Sequence, residues 1–330
     1  MQAVLWRRYG APETLTLGNA PKPLPGPGEI RIRVHATTVT SGDARLRGCR
    51  GAGLFWLPLR LVFGLFRPRH PVPGMEFAGV VEALGAGVAG FAPGERVFGL
   101  ALRGAHAEYL TMPETGCVAR QPAGLSHAEA AALPFGGLSA LVFLRDVAQA
   151  RTGERLVVHG AAGAVGVHLV QMARHFGLTV TAVASARHDA LLRALGAHQV
   201  LDRATRDFTE GAARQDIVLD AVGGTRFGRV RRVLNPRGRH VFVNFGAREL
   251  ALMLWTRLRP GPRVLCGHAP GRQTDLLALR DLVEQGAIRP VIGRRMPLSD
   301  IVAAHALVDS GRKQGALVLE VIPAGCPHPA

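Results

Sequence analysis

The sequence predicts an α/β protein that combines a partly open β-barrel domain with a doubly wound parallel sheet. Three observations support this fold class: short strands separated by proline and glycine near the start, strands and helices that alternate from Arg155 to about Val243, and a glycine-rich turn that begins the alternating region. With 330 residues, the chain exceeds the usual size of one hydrophobic core. We therefore expect two domains.

Residues 1–125 are predicted to form the barrel. Hydrophobic residues alternate strictly at Ile30, Ile32 and Val34, which indicates a half-buried strand. Further strands with glycine turns are predicted at 77–84 and 95–100. Several short strands joined by regular turns are typical of a small, partly open barrel. From about Ser126 the pattern becomes helical.

Residues 126–270 are predicted to hold the parallel sheet. The strands are expected at 155–160, 178–184, 198–202, 216–223 and 240–245, and the helices at 164–176, 188–195 and 227–234. Repeated βα units imply right-handed crossovers, with ligands beyond the carboxyl ends of the strands. The turns expected to face a ligand are 161–165, 185–187, 221–224 and 244–246.

The C-terminal segment, residues 271–330, follows a short predicted strand at 264–267. Its pattern predicts helices over 273–285 and 298–310 and a final strand over 316–322. We expect this segment to complete the parallel sheet and to return to the barrel.

The glycine-rich turn, GAAGAVG, predicts a cradle for a dinucleotide pyrophosphate. Gly160 would allow the tight turn, Gly163 would let the backbone approach the phosphates, and Gly166 would let the helix pack closely on the sheet. The helix that begins at Ala164 and Val165 would point free N–H groups at the phosphates. The alternative is an ordinary glycine-rich turn between a strand and a helix.

Composition limits the other classes of function. The formal net charge is +16, and all but two of the 40 basic residues are arginine. A solvated helix face explains the densest cluster, residues 226–239, better than nucleic-acid binding, because no recognised motif accompanies it. We expect no nucleic-acid partner. Cys49, Cys117, Cys266 and Cys326 form no CxxC pair, which argues against a disulfide framework or a thiolate metal site.

No secretory signal or membrane-spanning run is evident, so we expect a soluble, cytoplasmic protein. The segment 54–70 carries an apolar stripe beside arginines; its members are Phe55, Trp56, Leu59, Phe63 and Phe66. We favour a lid over a hydrophobic substrate, or a core helix, above an interfacial membrane contact. Its short length and Pro58 argue against stable membrane insertion. A second apolar piece, residues 250–260, would face the same substrate or a partner subunit.

The chain resembles the medium-chain dehydrogenase/reductase superfamily, in its zinc-independent quinone oxidoreductase-like branch. The matching stretches run in family order over nearly the whole chain: VHATTVTSGDARLRG, PGMEFAGVVEALG, PGERVFG, AALPFGGLSA, GAAGAVG, LGAHQVLD, DAVGG and GRKQGALVLEV. The resemblance implies a GroES-like domain over 1–125 that binds substrate, a Rossmann domain over 126–270 that binds NAD(P), and a C-terminal return over 271–330. Relatives often dimerise near 264–267, so a homodimer is expected.

Departures from the zinc enzymes of this superfamily argue against a metal. Thr40 stands where those enzymes have a cysteine ligand, and Met75 stands where they have a histidine. Neither is a good zinc ligand, and Glu76 alone does not hold a catalytic ion. Many relatives have an asparagine at the position of Thr40, so the resemblance assigns an electrophilic role to its hydroxyl, with Asp43 and Arg47 orienting the loop. The alternative is that Asp43 and Arg47 belong to structural ion pairs.

NADPH is the predicted cofactor. NAD-preferring cradles carry an acidic residue at the end of the second strand, whereas this chain has Ser185, Ala186 and Arg187 there. A hydroxyl and a guanidinium suit a 2′-phosphate. The alternative is that Arg187 is one exposed arginine among many.

The resemblance places four more residues near the cofactor. They are Ser139 near the nicotinamide and phosphate, Val222 and Phe245 along the nucleotide pocket, and Lys313 at the phosphate end. Core packing is the alternative for Val222 and Phe245, and an ordinary helix hydroxyl is the alternative for Ser139.

The predicted reaction is hydride transfer from NADPH to a quinone or an α,β-unsaturated carbonyl, because such small, hydrophobic electrophiles accept hydride without a metal ion. Two alternatives stay open. One is an NAD(P)-dependent alcohol or carbonyl oxidoreductase. The other is a binding protein that retains the nucleotide fold and acts on nucleic acid or a membrane surface.

Overall fold

The computed structural model describes residues 1–49, 56–210 and 213–322. Phe55 and Cys326 lie outside this part of the chain, as do the side chains of Trp56 and Leu59. The chain divides into two compact units. The first contains residues 1–135, 271–284 and 290–330, and the second contains residues 136–270 and 285–289.

The elements come in the following order. Those before residue 133 are β1 (Gln2–Trp6), β2 (Leu15–Asn19), β3 (Glu29–Thr38), α1 (Ser41–Gly48), α2 (Trp56–Phe63), β4 (Glu76–Leu84), β5 (Arg96–Leu100), β6 (Tyr109–Pro113), β7 (Val118–Arg120) and α3 (His127–Ala131). Those up to residue 270 are α4 (Pro134–Val142), β8 (Arg155–His159), α5 (Ala164–His175), β9 (Thr179–Ala184), α6 (Asp189–Ala194), β10 (Gln199–Asp202), β11 (Gln215–Asp220), α7 (Phe227–Val230), β12 (Leu234–Phe242), α8 (Ala247–Arg257) and β13 (Arg263–Cys266). The last are α9 (Gln273–Glu284), β14 (Ile292–Pro297), α10 (Ile301–Asp309) and β15 (Ala316–Glu320).

The first unit is built on a mixed sheet with the strand order β14-β15-β3-β4-β5-β7, while β6 also pairs with β3. Ile30, Ile32 and Val34 are fully buried on β3, as their alternation predicts, and they pack with Phe77 of β4. A second cluster joins the small β1–β2 ribbon to α10 and β15. The C-terminal elements therefore stabilise the N-terminal ones by burying shared apolar surface.

The second unit is a parallel sheet with the strand order β10-β9-β8-β11-β12-β13. The chain runs outward from β8 through β9 to β10, and then outward on the other side from β11 to β13. The order reverses between β8 and β11, so the crevice beyond their carboxyl ends is where ligands of such sheets bind. The predicted α/β class, with its doubly wound parallel sheet, is confirmed.

Two expectations about elements are wrong. Residues 271–330 add no described strand to the parallel sheet, because β15 pairs with β3 on one side and with β14 on the other. The helix predicted over 227–234 ends at Val230, because Leu234 is buried and begins β12, where it pairs with Gln215 of β11. The pairing of Leu234 with β11 therefore prevails over the helical spacing of apolar residues in this segment.

Candidate functional site

The glycine-rich turn after β8 requires glycine at two positions for reasons of local geometry. Gly160 has φ +82°, and an added Cβ would lie 2.6 Å from the Val222 side chain. A Cβ on Gly166 would lie 2.3 Å from the carbonyl oxygen of Gly160. The first helical turn of α5 therefore packs directly on the turn that precedes it.

Gly163 differs from these two glycines. Its φ is −76°, and an added Cβ would meet only the Gly160 oxygen, at 3.5 Å, which is an ordinary contact. The protein's own packing does not require glycine there, but the close approach of a bound pyrophosphate would. The first bond of α5 runs from Val167 N to Gly163 O at 3.0 Å, so the N–H groups of Ala164, Val165 and Gly166 precede it. This arrangement fits an anion at a helix N-terminus.

The end of β9 carries no acidic residue. Ser185 is half-buried and precedes a short 3-10 turn, and the exposed Arg187 donates from Nε to His188 Nε2 at 3.1 Å. Asp189 lies further on, inside α6, and pairs with Arg193 at 2.7 Å. A carboxylate that would bond a ribose 2′-hydroxyl is therefore missing from its usual position.

A cavity of about 660 Å³ opens on the same unit, beside the ends of β8, β9 and β10. Sequence reasoning missed its basic wall, although Arg203 follows directly on β10 at the ligand-binding edge of the sheet. Its lining is dominated by arginine, threonine and one histidine: Arg203, Arg206, Arg226, Arg229, Thr205, Thr209, Thr225 and His159. Among the described residues, only Arg229 of these arginines has an ion-pair partner, Asp207 at 3.3 Å. The cavity is therefore strongly positive.

A buried carboxylate fixes the turn that follows β11. Asp220 accepts from the backbone N–H groups of Val222 (3.1 Å) and Gly223 (2.7 Å), from the Thr225 hydroxyl (2.6 Å), and from His159 Nδ1 (3.0 Å). Burial alone would raise the pKa of Asp220, but the bonds from His159 and Thr225 hold it well below its usual range. Asp220 therefore stays ionised and holds the turn.

The remaining residues predicted on the second unit have different surroundings. Val222 is 51% exposed, so core packing does not explain it, whereas Phe245 packs beside a cluster that includes Phe242 and Val264. Ser139 is buried on α4, one turn after Gly136. A Cβ on Gly136 would lie 2.4 Å from the carbonyl oxygen of Ala164, so α4 packs closely against the start of α5.

The first unit holds the predicted pair Thr40 and Asp43, which form a capping box on α1. The Thr40 hydroxyl donates to Asp43 Oδ2 at 2.6 Å and accepts from Asp43 N at 3.0 Å, while Thr40 N donates to the same carboxylate at 2.8 Å. Arg47 does form an ion pair, but with Asp309 at 2.5 Å. Asp43 therefore bonds to Thr40 at the start of α1, whereas the ion pair of Arg47 is made with the end of α10.

A buried carboxylate, Glu76, lies near Asp43 in the first unit. Glu76 accepts from the Thr38 hydroxyl and, at 2.6 Å, from the backbone N–H of Phe135. Burial raises the pKa of Glu76 to about 7, against the lowering effect of these bonds and of Lys313. Burial likewise lowers the pKa of Lys313, opposed by Glu76 and Asp43.

Lys313 Nζ donates to the backbone oxygen of Val39 at 3.2 Å. The structure therefore places Lys313 in the first unit with Glu76, whereas the other predicted cofactor residues lie in the second unit. Sequence reasoning noted Glu76 only as an insufficient metal ligand. The signal for its burial was its position at the start of the apolar strand β4.

Two family models each match a part of the chain. Residues 26–122 match the family model described as the alcohol dehydrogenase GroES-like domain, and residues 195–319 match the zinc-binding dehydrogenase model. The chain is 30% identical to a quinone oxidoreductase of Pseudomonas aeruginosa over 94% of its own length and 97% of that protein's length. The chain belongs to the medium-chain dehydrogenase/reductase superfamily, in its quinone oxidoreductase-like branch. It is thus of an oxidoreductase family that uses a nicotinamide cofactor.

Other members of this superfamily extend the comparison. The solved quinone oxidoreductase of Coxiella burnetii superposes with a TM-score of 0.85 at 29% identity and covers 98% of this chain and 99% of that one. The pikromycin polyketide synthase component PikAII of Streptomyces venezuelae is 35% identical over 96% of this chain. The chain spans only 8% of PikAII and no more than 15% of the other polyketide synthases that it matches.

One family model names zinc, and the donor atoms of Thr40 and Met75 decide whether this chain could hold it. Thr40 Oγ1 and Met75 Sδ lie 4.0 Å apart, and a Cβ on Gly42 would lie 3.0 Å from that sulfur and 3.2 Å from that oxygen. No group of three or more His, Cys, Asp or Glu side chains in residues 1–49, 56–210 and 213–322 is placed to hold a metal ion. These residues do not fit zinc.

In the part of the chain that the structure describes, no helix is both long enough and apolar enough to cross a bilayer.

Proposed function

We propose that the protein is a zinc-independent, NADPH-dependent reductase that transfers hydride to a quinone or an α,β-unsaturated carbonyl. The observation that carries this proposal is the open side of the cradle at Gly163, which suits a pyrophosphate. The neighbouring strand β9 also ends without an acidic residue. Thr40 and Met75 at the positions of zinc ligands favour an acceptor that needs no Lewis acid.

Positive charge supports the choice of NADPH. Arg187 follows β9, and Arg203 and Arg206 follow β10 without an acidic partner among the residues described. We propose that these arginines together favour the additional 2′-phosphate of NADPH, because guanidinium groups bind phosphate through charge-assisted hydrogen bonds. Ser185, Val222 and Phe245 would bind the rest of the adenosine half. Ser139 and Lys313 are proposed as further cofactor contacts.

The bound cofactor would supply the hydride, and the protein would orient the acceptor and stabilise the anion that develops on its oxygen. We propose Thr40 as the hydrogen-bond donor, because its hydroxyl lies at the start of α1 and is held by the bond from Asp43 N. Its single proton, which is donated to Asp43 Oδ2 here, would turn to the acceptor oxygen during the reaction. Glu76, whose pKa is raised to about 7 by burial, lies near both Asp43 and Lys313.

The test of this function uses metal-stripped protein with NADPH and NADH against quinones, alkenals and saturated aldehydes. We expect turnover of quinones or alkenals with NADPH preferred. Activity that a chelator abolishes and zinc restores would overturn the metal-free mechanism. Faster turnover of saturated aldehydes than of alkenals would favour the alcohol or carbonyl oxidoreductase alternative.

The cofactor preference has a separate test. Arg187→Ala and Arg203→Ala are each expected to raise the KM for NADPH about tenfold while leaving the KM for NADH unchanged, because only NADPH loses a charged contact. Arg231→Ala is the matched control, because Arg231 neither lines the cavity nor follows β9 or β10. Equal effects on both cofactors would contradict this assignment.

For assembly, we propose a homodimer that forms beside β13, the edge strand of the parallel sheet. An unpaired strand edge is a ready template for pairing. The adjacent helix α8 also exposes Leu254 and Leu258. Sedimentation should give twice the chain mass, and a monomer at working concentration would contradict the proposal. We further propose a cytoplasmic enzyme without a nucleic-acid partner.

A further inference from the structure

The first unit has an exposed apolar surface that includes none of the residues assigned to the proposed reaction. We call it the α2 patch, and it consists of Leu57, Leu61, Val62, Leu65 and Phe66, which are 41% to 87% exposed. Leu57, Leu61 and Leu65 are spaced four residues apart, and Phe66 is the most exposed member. Five large apolar side chains within ten residues are unusual on a protein surface unless they meet something.

The opposite side of the same segment is held to the body of the unit. Arg60 lies 4.1 Å from the centre of the Tyr9 ring and donates to Leu65 O at 2.7 Å, and the Tyr9 hydroxyl donates to Gly64 O at 2.8 Å. Phe63 lines a small cavity with Trp6. These contacts fix the orientation of the segment, so the patch residues are held outward. A buried core helix is therefore wrong for this segment.

Three exposed charges next to the α2 patch are positive, whereas Asp43, which lines the small cavity beneath the segment, is buried. No acidic residue occurs between Asp43 and Glu76, whereas this interval holds six arginines. Arg67, Arg69 and Arg103 are exposed, and none of them has an ion-pair partner in residues 1–49, 56–210 and 213–322. Arg103 and Arg69 both act on His70, whose pKa is lowered by burial and then by these two charges. They therefore lie close to one another.

We propose that the α2 patch and its arginines dock the protein on an anionic lipid bilayer surface. Phe66, Leu61 and Val62 would enter the headgroup region, and Arg67, Arg69 and Arg103 would bind lipid phosphates. An anionic bilayer is the occupant that matches both features, since it offers apolar depth directly beneath a layer of negative charge. Helix α2 has eight residues, so the association is peripheral.

Vesicle binding of the full chain tests this proposal. Vesicles of phosphatidylcholine alone are compared with vesicles that contain about a third phosphatidylglycerol, at about 0.15 M salt. We expect flotation with the anionic vesicles only. Phe66→Ser should weaken binding about tenfold, because it removes an apolar group that would be buried in the bilayer. Arg67→Ser should weaken binding about fivefold, because it removes a charge that would bind a lipid phosphate.

The control is Leu24→Ser, which removes a similarly exposed leucine, 81% against 87% for Phe66, elsewhere on the first unit. Both positions are on the surface, so both variants should fold, and only Phe66→Ser should lose vesicle binding. Absence of binding to anionic vesicles, or equal loss in both variants, would overturn the proposal. So would a Phe66→Ser variant that halves the sedimenting mass, because the patch would then bind a second copy of this chain.

Discussion

The two candidate sites differ in what defines them. The cradle of the second unit is defined by backbone: Gly160 has a positive φ, Gly166 packs on a carbonyl oxygen, and Gly163 leaves an open side. The site of the first unit is defined by buried side chains, with Thr40 bonded to Asp43 and Glu76 bonded to Thr38. A site made from backbone is specified by residues that are adjacent in the sequence, whereas a site made from side chains depends on which distant strands come together in the fold.

The first prediction concerns Gly166→Ala, which should lower the free energy of unfolding more than the other variants. Its Cβ would lie 2.3 Å from Gly160 O and 2.6 Å from the Ala161 backbone, and neither group can move away like a flexible side chain. We expect a loss of about 4 kcal/mol in the free energy of unfolding. Denaturant unfolding measures it. A variant as stable as the parent would show that α5 can shift away from the turn.

The same contrast explains what the sequence could predict. The glycine-rich turn, the strand β3 and the order of most strands in the parallel sheet follow from spacing within short stretches, and the structure has them close to where they are expected. The contact of Lys313 with Val39 joins residues 274 positions apart, so no local pattern contains it. The arginine-lined cavity was missed for a related reason. Arg203 and Arg226 come from different crossovers, and only the strand order brings them together.

The second prediction concerns Glu76, a buried side chain of the site in the first unit. Its pKa in the folded protein is about 7 against an ordinary value of 4.5, so the protonated form is favoured by folding. This contribution is fully present below pH 4.5 and is lost as the pH rises to about 7, by roughly 3 kcal/mol in total. Glu76→Gln should therefore be more stable than the parent at pH 8 and about equal to it at pH 4.

Unfolding at the two pH values checks this prediction, and Glu82→Gln is the control, because Glu82 is partly exposed and ion-paired with Lys22 and Arg31. The pKa of Glu82 is lowered in spite of its partial burial, by hydrogen bonds from Lys22 and Arg31, so its pH dependence has the opposite sign. Parallel pH profiles for the two variants would contradict the assignment of Glu76 as a carboxyl group kept protonated by burial.

The third prediction sharpens the distinction between the glycines of the cradle. Gly163→Ala adds a Cβ that meets the protein only at an ordinary 3.5 Å, so its stability should equal that of the parent. Its affinity for NADPH should nevertheless fall about tenfold, because a methyl group occupies the approach of the pyrophosphate. Titration of the nucleotide, together with unfolding, separates the two effects. Unchanged affinity would remove Gly163 from the proposed binding site.

The last prediction tests whether the Thr40 hydroxyl does more than cap helix α1. Thr40→Ala removes the capping box of α1 and should cost about 1 kcal/mol, whereas Thr40→Ser retains the hydroxyl and should cost little. If the hydroxyl also stabilises the acceptor anion, the kcat of folded Thr40→Ala should fall at least tenfold and Thr40→Ser should restore it. A Thr40→Ala variant with normal kcat would make Thr40 a cap alone, and the two sites would then differ in role as well as in construction.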